Sequence, residues 1–323
     1  MTTLPAPDLL AIGRISVDLY AREAHASFLE PQTFEKSIGG SPTNVAVAGA
    51  RLGLDSAIVT RVGDDALGDY SRAKLASFGV RTDFVGQEAG ATTPVVLVAL
   101  DEPSEPTIAF YRSPTAPDTL ISADAVPDEV LTSARLVWVS AAALATGPTA
   151  NTVATWLQRR GRSGDVVLDL DLRPTLWSSE QAMRDAAQTL IAASTVVVGN
   201  RAECAMAVGT HDPHAAADAL LSRGVHLAVV KMGAEGVLLA SPSERFVIAP
   251  IPVDVRCGLG AGDAFGGVLA AGLVRGWDLE RIGRYANAAG ALVTSRLTCS
   301  DAMPTTDELD AFLSSHEEAG SHV

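Results

Sequence analysis

Apolar runs of five to eight residues recur along the chain at 9–13, 56–62, 93–100, 107–112, 135–140, 165–172, 194–198 and 227–231. Each is bounded by turn-forming residues, and such runs predict buried β-strands. Between them, 45–52, 69–78, 148–161, 264–274, 279–296 and 306–313 carry apolar or small residues at helical spacing. Strands alternating with helices predict βαβ units and a parallel sheet with both faces covered. The runs at 93–100 and 107–112 flank a proline-containing turn and predict a hairpin. Gly79-Val80 is expected to open a further strand, whereas 24–38 is too irregular to assign. The first run leads through Arg14-Ile-Ser-Val to Asp18 and is read as one strand with Asp18 at its end. Ligands in open α/β sheets lie beyond the strand carboxyl ends, so Asp18 is either a ligand contact or a turn residue.

Composition narrows this picture. The chain has 323 residues, 47% hydrophobic but only 5% aromatic, which suits one large α/β domain with a core of Ala, Val and Leu. A net charge of −14 without a basic tract argues against nucleic acid. Lysine occurs only at Lys36, Lys74 and Lys231, so anion recognition falls mainly on arginine. Cys204, Cys257 and Cys299 are far apart and suggest a reducing compartment. Residues 1–8 do not read as a signal peptide, and no run reaches bilayer length. A cytoplasmic protein with no membrane partner is expected.

The most informative stretch is Gly258-Leu-Gly260-Ala261-Gly262-Asp263, which feeds a helical pattern closed by Gly276. Unpaired N–H groups and the positive dipole end make a helix N-terminus an anion site. Asp263 is read in two ways, as a helix cap or as a base beside that anion site. A second stretch, Ile38-Gly39-Gly40-Ser41-Pro42-Thr-Asn44, predicts a helix with Ser41 as N-cap and Pro42 at its first position. Gly39 and Gly40 would let a ligand approach, and Asn44 offers it a donor and an acceptor. Alternation along 165–173 puts Asp169, Asp171 and Arg173 on one strand face, where three buried charges need each other or a ligand.

Both stretches together resemble the ribokinase-like (PfkB) sugar kinases: GLGAGDAFGG is similar to the family's D-T-x-G-A-G-D signature, and GG-S-P-T-N-x-A to its N-terminal one. The resemblance runs from about residue 9 to 304. It implies a three-layer α/β fold in one domain, 1–323, with a central, mainly parallel sheet, flanking helices and a small β-sheet lid from about 19–38 and 93–112. It implies an ATP- and Mg²⁺-dependent enzyme in which Asp263 takes a proton from a primary hydroxyl. The N–H groups of Gly260, Ala261 and Gly262 would hold the transferring phosphate. Asp18, Gly39, Gly40, Asn44, Arg112 and Arg173 are the implied sugar residues. Asn200, Lys231, Gly233, Gly236, Gly260, Gly262 and Asn287 are the implied nucleotide residues, and Glu203 would serve Mg²⁺ through water.

Plain structural readings stand beside several of these: a solvated Arg112, a helix-terminal Glu203, a hairpin turn at 233–236 and a solvent-facing Asn287. Cys257 replaces the leading Asp of the family signature and leaves K⁺ activation open, as it is for a homodimer through the lid. Arg112 and Arg173 point to a carboxylate-bearing substrate. The strings FYR, TAPD and DAMP resemble the branch acting on 5-dehydro-2-deoxygluconate in inositol catabolism, with 2-keto-3-deoxygluconate kinase and fructokinase as alternatives. Asp169 to Trp177 resembles the ketodeoxygluconate branch. Rivals outside the sugar kinases are a non-catalytic sugar- or nucleotide-binding regulator, against which intact Asp263 speaks, and a dehydrogenase, for which no dinucleotide fingerprint follows the first strand.

Overall fold

The computed structural model describes residues 5–320, with side chains as far as residue 316. In chain order the strands are β1 (Leu9–Ile12), β2 (Ser16–Ala24), β3 (Phe34–Gly39), β4 (Ser56–Gly63), β5 (Val85–Glu88), β6 (Val95–Leu100), β7 (Thr107–Tyr111), β8 (Leu136–Ser140), β9 (Asp165–Asp169), β10 (Val196–Asn200), β11 (Leu227–Lys231), β12 (Val237–Ala240) and β13 (Arg245–Ile248). The helices are α1 (Ser41–Arg51), α2 (Ala66–Ser77), α3 (Asp128–Ser133), α4 (Pro148–Arg160), α5 (Glu180–Ala193), α6 (Arg201–Val208), α7 (Pro213–Leu221), α8 (Ala261–Arg275), α9 (Leu279–Thr294) and α10 (Thr306–Gly320).

Nine strands form the central sheet in the order β13-β12-β11-β10-β9-β8-β1-β4-β5. Pairing is parallel from β11 through β5; β12 pairs antiparallel with both β11 and β13, so it alone runs against the other strands. The alternation of β1 explains the layers. Leu9 and Ala11 join one core with residues of α1, α8 and α9, while Leu10 and Ile12 join the other with α4, α5 and α7. Each core is anchored by one fully buried tryptophan, Trp138 or Trp156. Burial of such a side chain stabilises by about 1.5–3 kcal/mol.

Small residues in α8 set its distance from the sheet and from α1. A Cβ on Gly266 would lie 2.7 Å from the Trp138 ring, and one on Gly267 would lie 2.2 Å from Ala48. Close packing therefore holds the α8 N-terminus against the sheet beside α1.

The second sheet has four strands in the order β3-β2-β6-β7. It takes in most of 19–38, whose mixed pattern comes from strands exposed along part of their length. The hairpin of β6 and β7 pairs Val95 with Tyr111 and Ala99 with Thr107.

Several expectations differ from the structure. The first apolar run stops at Ile12, because Gly13 turns the chain at φ 141° and Ser16 starts β2 in the other sheet. Asp18 is therefore not the end of β1. The run at 165–172 stops at Asp169; Arg173 is left-handed at φ 44° and Pro174 follows in a 3₁₀ turn. The strand-face argument accordingly fails at Arg173. Gly40, not Ser41, is the N-cap of α1, at φ 99°, with Ser41 and Pro42 already inside the helix. Gly79 and Val80 lie in a turn, and the next strand begins at Val85. The C-terminal helix continues beyond residue 313 to Gly320. Part of the readings of the N-terminus and of the C-terminal tail falls on 1–4 and 321–323, outside the described residues.

Candidate active site

The carboxyl ends of β1, β9, β10 and β11 open toward the N-terminus of α8. Gly260 caps that helix in the left-handed region, φ 83°. A side chain there would be strained and would meet Cys299 Sγ at 2.7 Å, so glycine is required. No side chain caps α8, which disposes of the capping reading of Asp263. Instead Asp263, in the first helical turn, faces α1, where Asn44 Nδ2 donates to its Oδ2 at 2.7 Å. Ser300 Oγ donates to Asn44 Oδ1 at 2.6 Å, which fixes the amide with its NH₂ toward Asp263. Asp263 is only half-buried by accessible surface, yet packed densely enough for desolvation to raise its pKa. The Asn44 hydrogen bond and Arg173 oppose that rise, and Asp171 adds to it.

Asp18 lies across the same pocket on β2. Ser16 Oγ donates to its Oδ1 at 2.6 Å and Tyr20 OH to its Oδ2 at 3.1 Å, with all three on one strand face. Burial pushes Asp18 up to about 6. Gly39 pairs with Ser16 on β3, and a Cβ on it would stand 1.9 Å from Asp18 Oδ2. The close approach that Gly39 permits is thus to the Asp18 carboxylate. Gly40 permits a similar approach to the Arg14 carbonyl, 2.4 Å from its would-be Cβ.

Three arginines line the pocket: Arg14, Arg112 and Arg173. Arg112, just past β7, makes a fork with Asp118 at 2.5 and 3.2 Å. Arg173 Nε donates to Asp171 Oδ1 at 2.6 Å, and Arg14 Nη2 to Asp171 Oδ2 at 2.8 Å. Arg112 is therefore not a free surface residue, while the Arg173 side chain stays 45% exposed. Sequence reasoning missed Arg14, Asp118 and Ser300 as site residues. The strings that hold Asp118 and the neighbour of Ser300, TAPD and DAMP, had registered only as resemblances. Arg14 had no signal beyond its place after Gly13.

A second cleft of about 610 Å³ runs along the other side of α8, lined by Lys231, Gly233, Gly236, Gly262 and Asn287 among others. Register places Asn200 beside Lys231 at the ends of β10 and β11. Lys231 Nζ reaches the α8 N-terminus, 3.3 Å from the position a Gly262 Cβ would take. Burial disfavours its charge, but Asp169, Glu203, Asp263 and Asp171 together outweigh burial and raise its pKa. Asp169 in turn is pushed by burial up to about 7, with Lys231 pulling the other way. Asn200 and Glu203 form the capping box of α6, so the helix-terminal reading of Glu203 holds. Asn287 is tied to the chain after β13, donating to the carbonyls of Ile248 and Ala249 at 3.2 and 2.9 Å. It braces the cleft wall and does not face solvent freely. Gly233 and Gly236 have φ 62° and 89°, and a Cβ on Gly236 would collide with the Ile248 carbonyl at 2.0 Å.

The two clefts meet at the α8 N-terminus, where N–H groups, a lysine and a raised carboxylate stand together. An anion held there lies between an acceptor pocket and a long, mostly apolar groove. That is an arrangement for phosphoryl transfer by positioning and charge neutralisation. Among the described residues no three or more acidic, His or Cys side chains form a direct metal cluster.

Comparisons agree. The family model described as pfkB family carbohydrate kinase matches residues 6–306. A 5-dehydro-2-deoxygluconokinase of Geobacillus thermodenitrificans is 32% identical over 95% of this chain and 93% of its own. The crystal structure of a PfkB protein from Polaromonas sp. JS666 superposes with a TM-score of 0.84 at 27% identity, over 95% of this chain and all of that one. Fructokinase with bound ATP from Xylella fastidiosa gives 0.84 at 25% identity, over 96% and 98%. The chain therefore belongs to the PfkB family of carbohydrate kinases and is an ATP-dependent sugar kinase of ribokinase-like fold.

Proposed function

We propose that this cytoplasmic kinase phosphorylates a primary hydroxyl of a sugar acid, with 5-dehydro-2-deoxygluconate as the first candidate. The observation that carries the reading is one pocket lined both by Asp263 and by Arg14, Arg112 and Arg173. Asp263 takes the proton of the attacking hydroxyl, and its burial suits a base. Asp18 holds sugar hydroxyls, and Gly39, Gly40 and Asn44 shape that wall. The free N–H groups of Gly260, Ala261 and Gly262, with Lys231, hold the charge that builds on the γ-phosphate. Gly233, Gly236, Asn200 and Asn287 shape the nucleotide cleft. Glu203 and Asp169 are the carboxylates that would hold Mg²⁺ through water; when bound, the ion neutralises phosphate charge. The curated relative above carries the matching name.

An ADP-release assay against 5-dehydro-2-deoxygluconate, 2-keto-3-deoxygluconate, fructose and adenosine tests the substrate. The highest kcat/KM is expected on the first. A highest value on fructose would establish the second reading, which one observation favours: Arg112 and Arg173 already have Asp118 and Asp171 as partners and demand no external anion.

The four-stranded sheet would serve as the lid over the sugar. Its face away from the sugar pocket carries the exposed Phe34 and Tyr111, with Phe28 and Leu29 in the loop between β2 and β3, while Phe110 lines the pocket. A second copy covering this face is the proposed assembly. Light scattering should give twice the chain mass, and a single-chain mass would refute the dimer.

A further inference from the structure

The pocket that joins Asp18 to Asp263 is small, about 80 Å³, against the few hundred of most ligand sites. Beside it lies a separate cavity of about 390 Å³, walled by Pro114, Ala116, Ala143, Thr146 and Leu176. Arg14 and Arg112 line both. The two arginines differ in what they have left to offer. Arg112 spends both terminal nitrogens on Asp118, a fully satisfied fork. Arg14 is more than nine-tenths buried, yet its guanidinium makes one hydrogen bond to the described residues, Nη2 to Asp171. Its Nε is buried without a partner, and Nη1 bonds no described group. A buried guanidinium with spare donors is costly unless an acceptor completes it. Asp171 does not neutralise Arg14 fully, because the same carboxylate also holds Arg173.

We infer that Arg14 is the residue that reads the substrate carboxylate, and that the acid end of the sugar passes between Arg14 and Arg112 into the adjoining cavity. This deepens the sugar-acid reading and rests on it. With its reactive hydroxyl at Asp263, a substrate too long for the small pocket extends toward the larger one, and the first cationic group shared by both is Arg14. Arg112 and Arg173 then act as walls whose charges the protein has balanced. A neutral sugar of the same length leaves the spare Arg14 donors unfilled, so Arg14 separates acids from neutral sugars.

The test compares the parent with Arg14→Met and Arg14→Lys. Steady-state constants are measured on 5-dehydro-2-deoxygluconate and on fructose, with KM for ATP and melting temperature as controls. Calorimetric titration of the acid without nucleotide gives affinity directly. Arg14→Met should raise KM and Kd for the acid roughly ten- to a hundredfold, with a loss on fructose at least several times smaller. Arg14→Lys keeps the charge and the reach to Asp171 but not the fork. It should fold like the parent and lose acid affinity to an intermediate degree. It decides the matter if Arg14→Met does not fold. Equal losses on acid and fructose, or unchanged acid affinity in Arg14→Lys, would overturn the role of Arg14. A parent enzyme that neither binds nor phosphorylates any acid would instead overturn the sugar-acid reading itself.

Discussion

Asn44 Nδ2 donates to Asp263 Oδ2 at 2.7 Å across 219 residues of sequence. The bond ties the first helix of the chain to the first turn of α8. It also restrains the Asp263 carboxylate, which lines the sugar pocket. Ser300 holds the other end of the Asn44 amide, itself fully buried.

That relay predicts a specific defect for Ser300→Ala. Asn44 would lose the bond that orients it, and with it the constraint on Asp263. A net hydrogen-bond contribution of about 0.5–1.5 kcal/mol corresponds to a two- to twelvefold fall in kcat. KM for ATP should hardly move, since the nucleotide cleft does not include Ser300. Ser300→Thr keeps the hydroxyl and should recover part of the rate. An unchanged kcat in Ser300→Ala would remove the relay.

Gly39→Ala tests the placement of Asp18. The added methyl would overlap the Asp18 carboxylate, with only 1.9 Å available. Displacing Asp18 should raise KM for the sugar by tenfold or more, on the order of one charge-assisted hydrogen bond. ATP affinity should be retained. Parent-like sugar KM would mean that Asp18 does not hold the sugar.

The chemistry at the N-terminus of α8 was legible in the sequence because its parts are contiguous: three glycines and Asp263 fall within six residues. The parallel sheet was legible for the same reason, since unbroken apolar runs mark strands buried on both faces. The β6–β7 hairpin of the second sheet was legible too, but β2 and β3 were not, because half-exposed strands lose the clean alternation that betrays them. Arg14, Asp118 and Ser300 were hidden for a different reason. Arg14 and Ser300 act through partners 157 and 256 residues away, and Asp118 pairs with Arg112 across a turn that carries no periodic pattern, so no local signal encodes these contacts. The strand-face placement of Arg173 failed because the alternation was carried past Asp169, where the strand ends and Arg173 turns left-handed before Pro174.

Stability should carry the signature of the buried acids. Asp18 and Asp169 rise from 3.8 to about 6 and about 7, mainly through burial. The folded protein holds these protons more tightly than the unfolded chain. Their contribution to stability is complete below pH 3.8 and is lost as pH rises through 6 and 7. The double variant Asp18→Asn, Asp169→Asn should therefore gain melting temperature relative to the parent as pH climbs from 4 to 8, without nucleotide present. A difference that stays flat or reverses across that range contradicts the assignment.

Potassium should matter little. Cys257, in place of the family's aspartate, is buried, and desolvation raises its thiol pKa, so it stays neutral. A thiol is a poor partner for a hard alkali cation. kcat in potassium chloride should match that in sodium chloride at equal ionic strength. A large activation by potassium would show that backbone carbonyls suffice.

The most direct test of the account is Asp263→Asn, read by kcat and by ATP titration together. The side chains are nearly isosteric, and Asn44 can still donate to the amide oxygen, so the fold and the nucleotide cleft should persist. Loss of a positioned base costs on the order of 10²–10⁴ in rate. The account predicts a fall in kcat of that size, with parent-like ATP affinity and melting temperature. A variant that turns over at nearly the parental rate would contradict it and take Asp263 out of the chemistry.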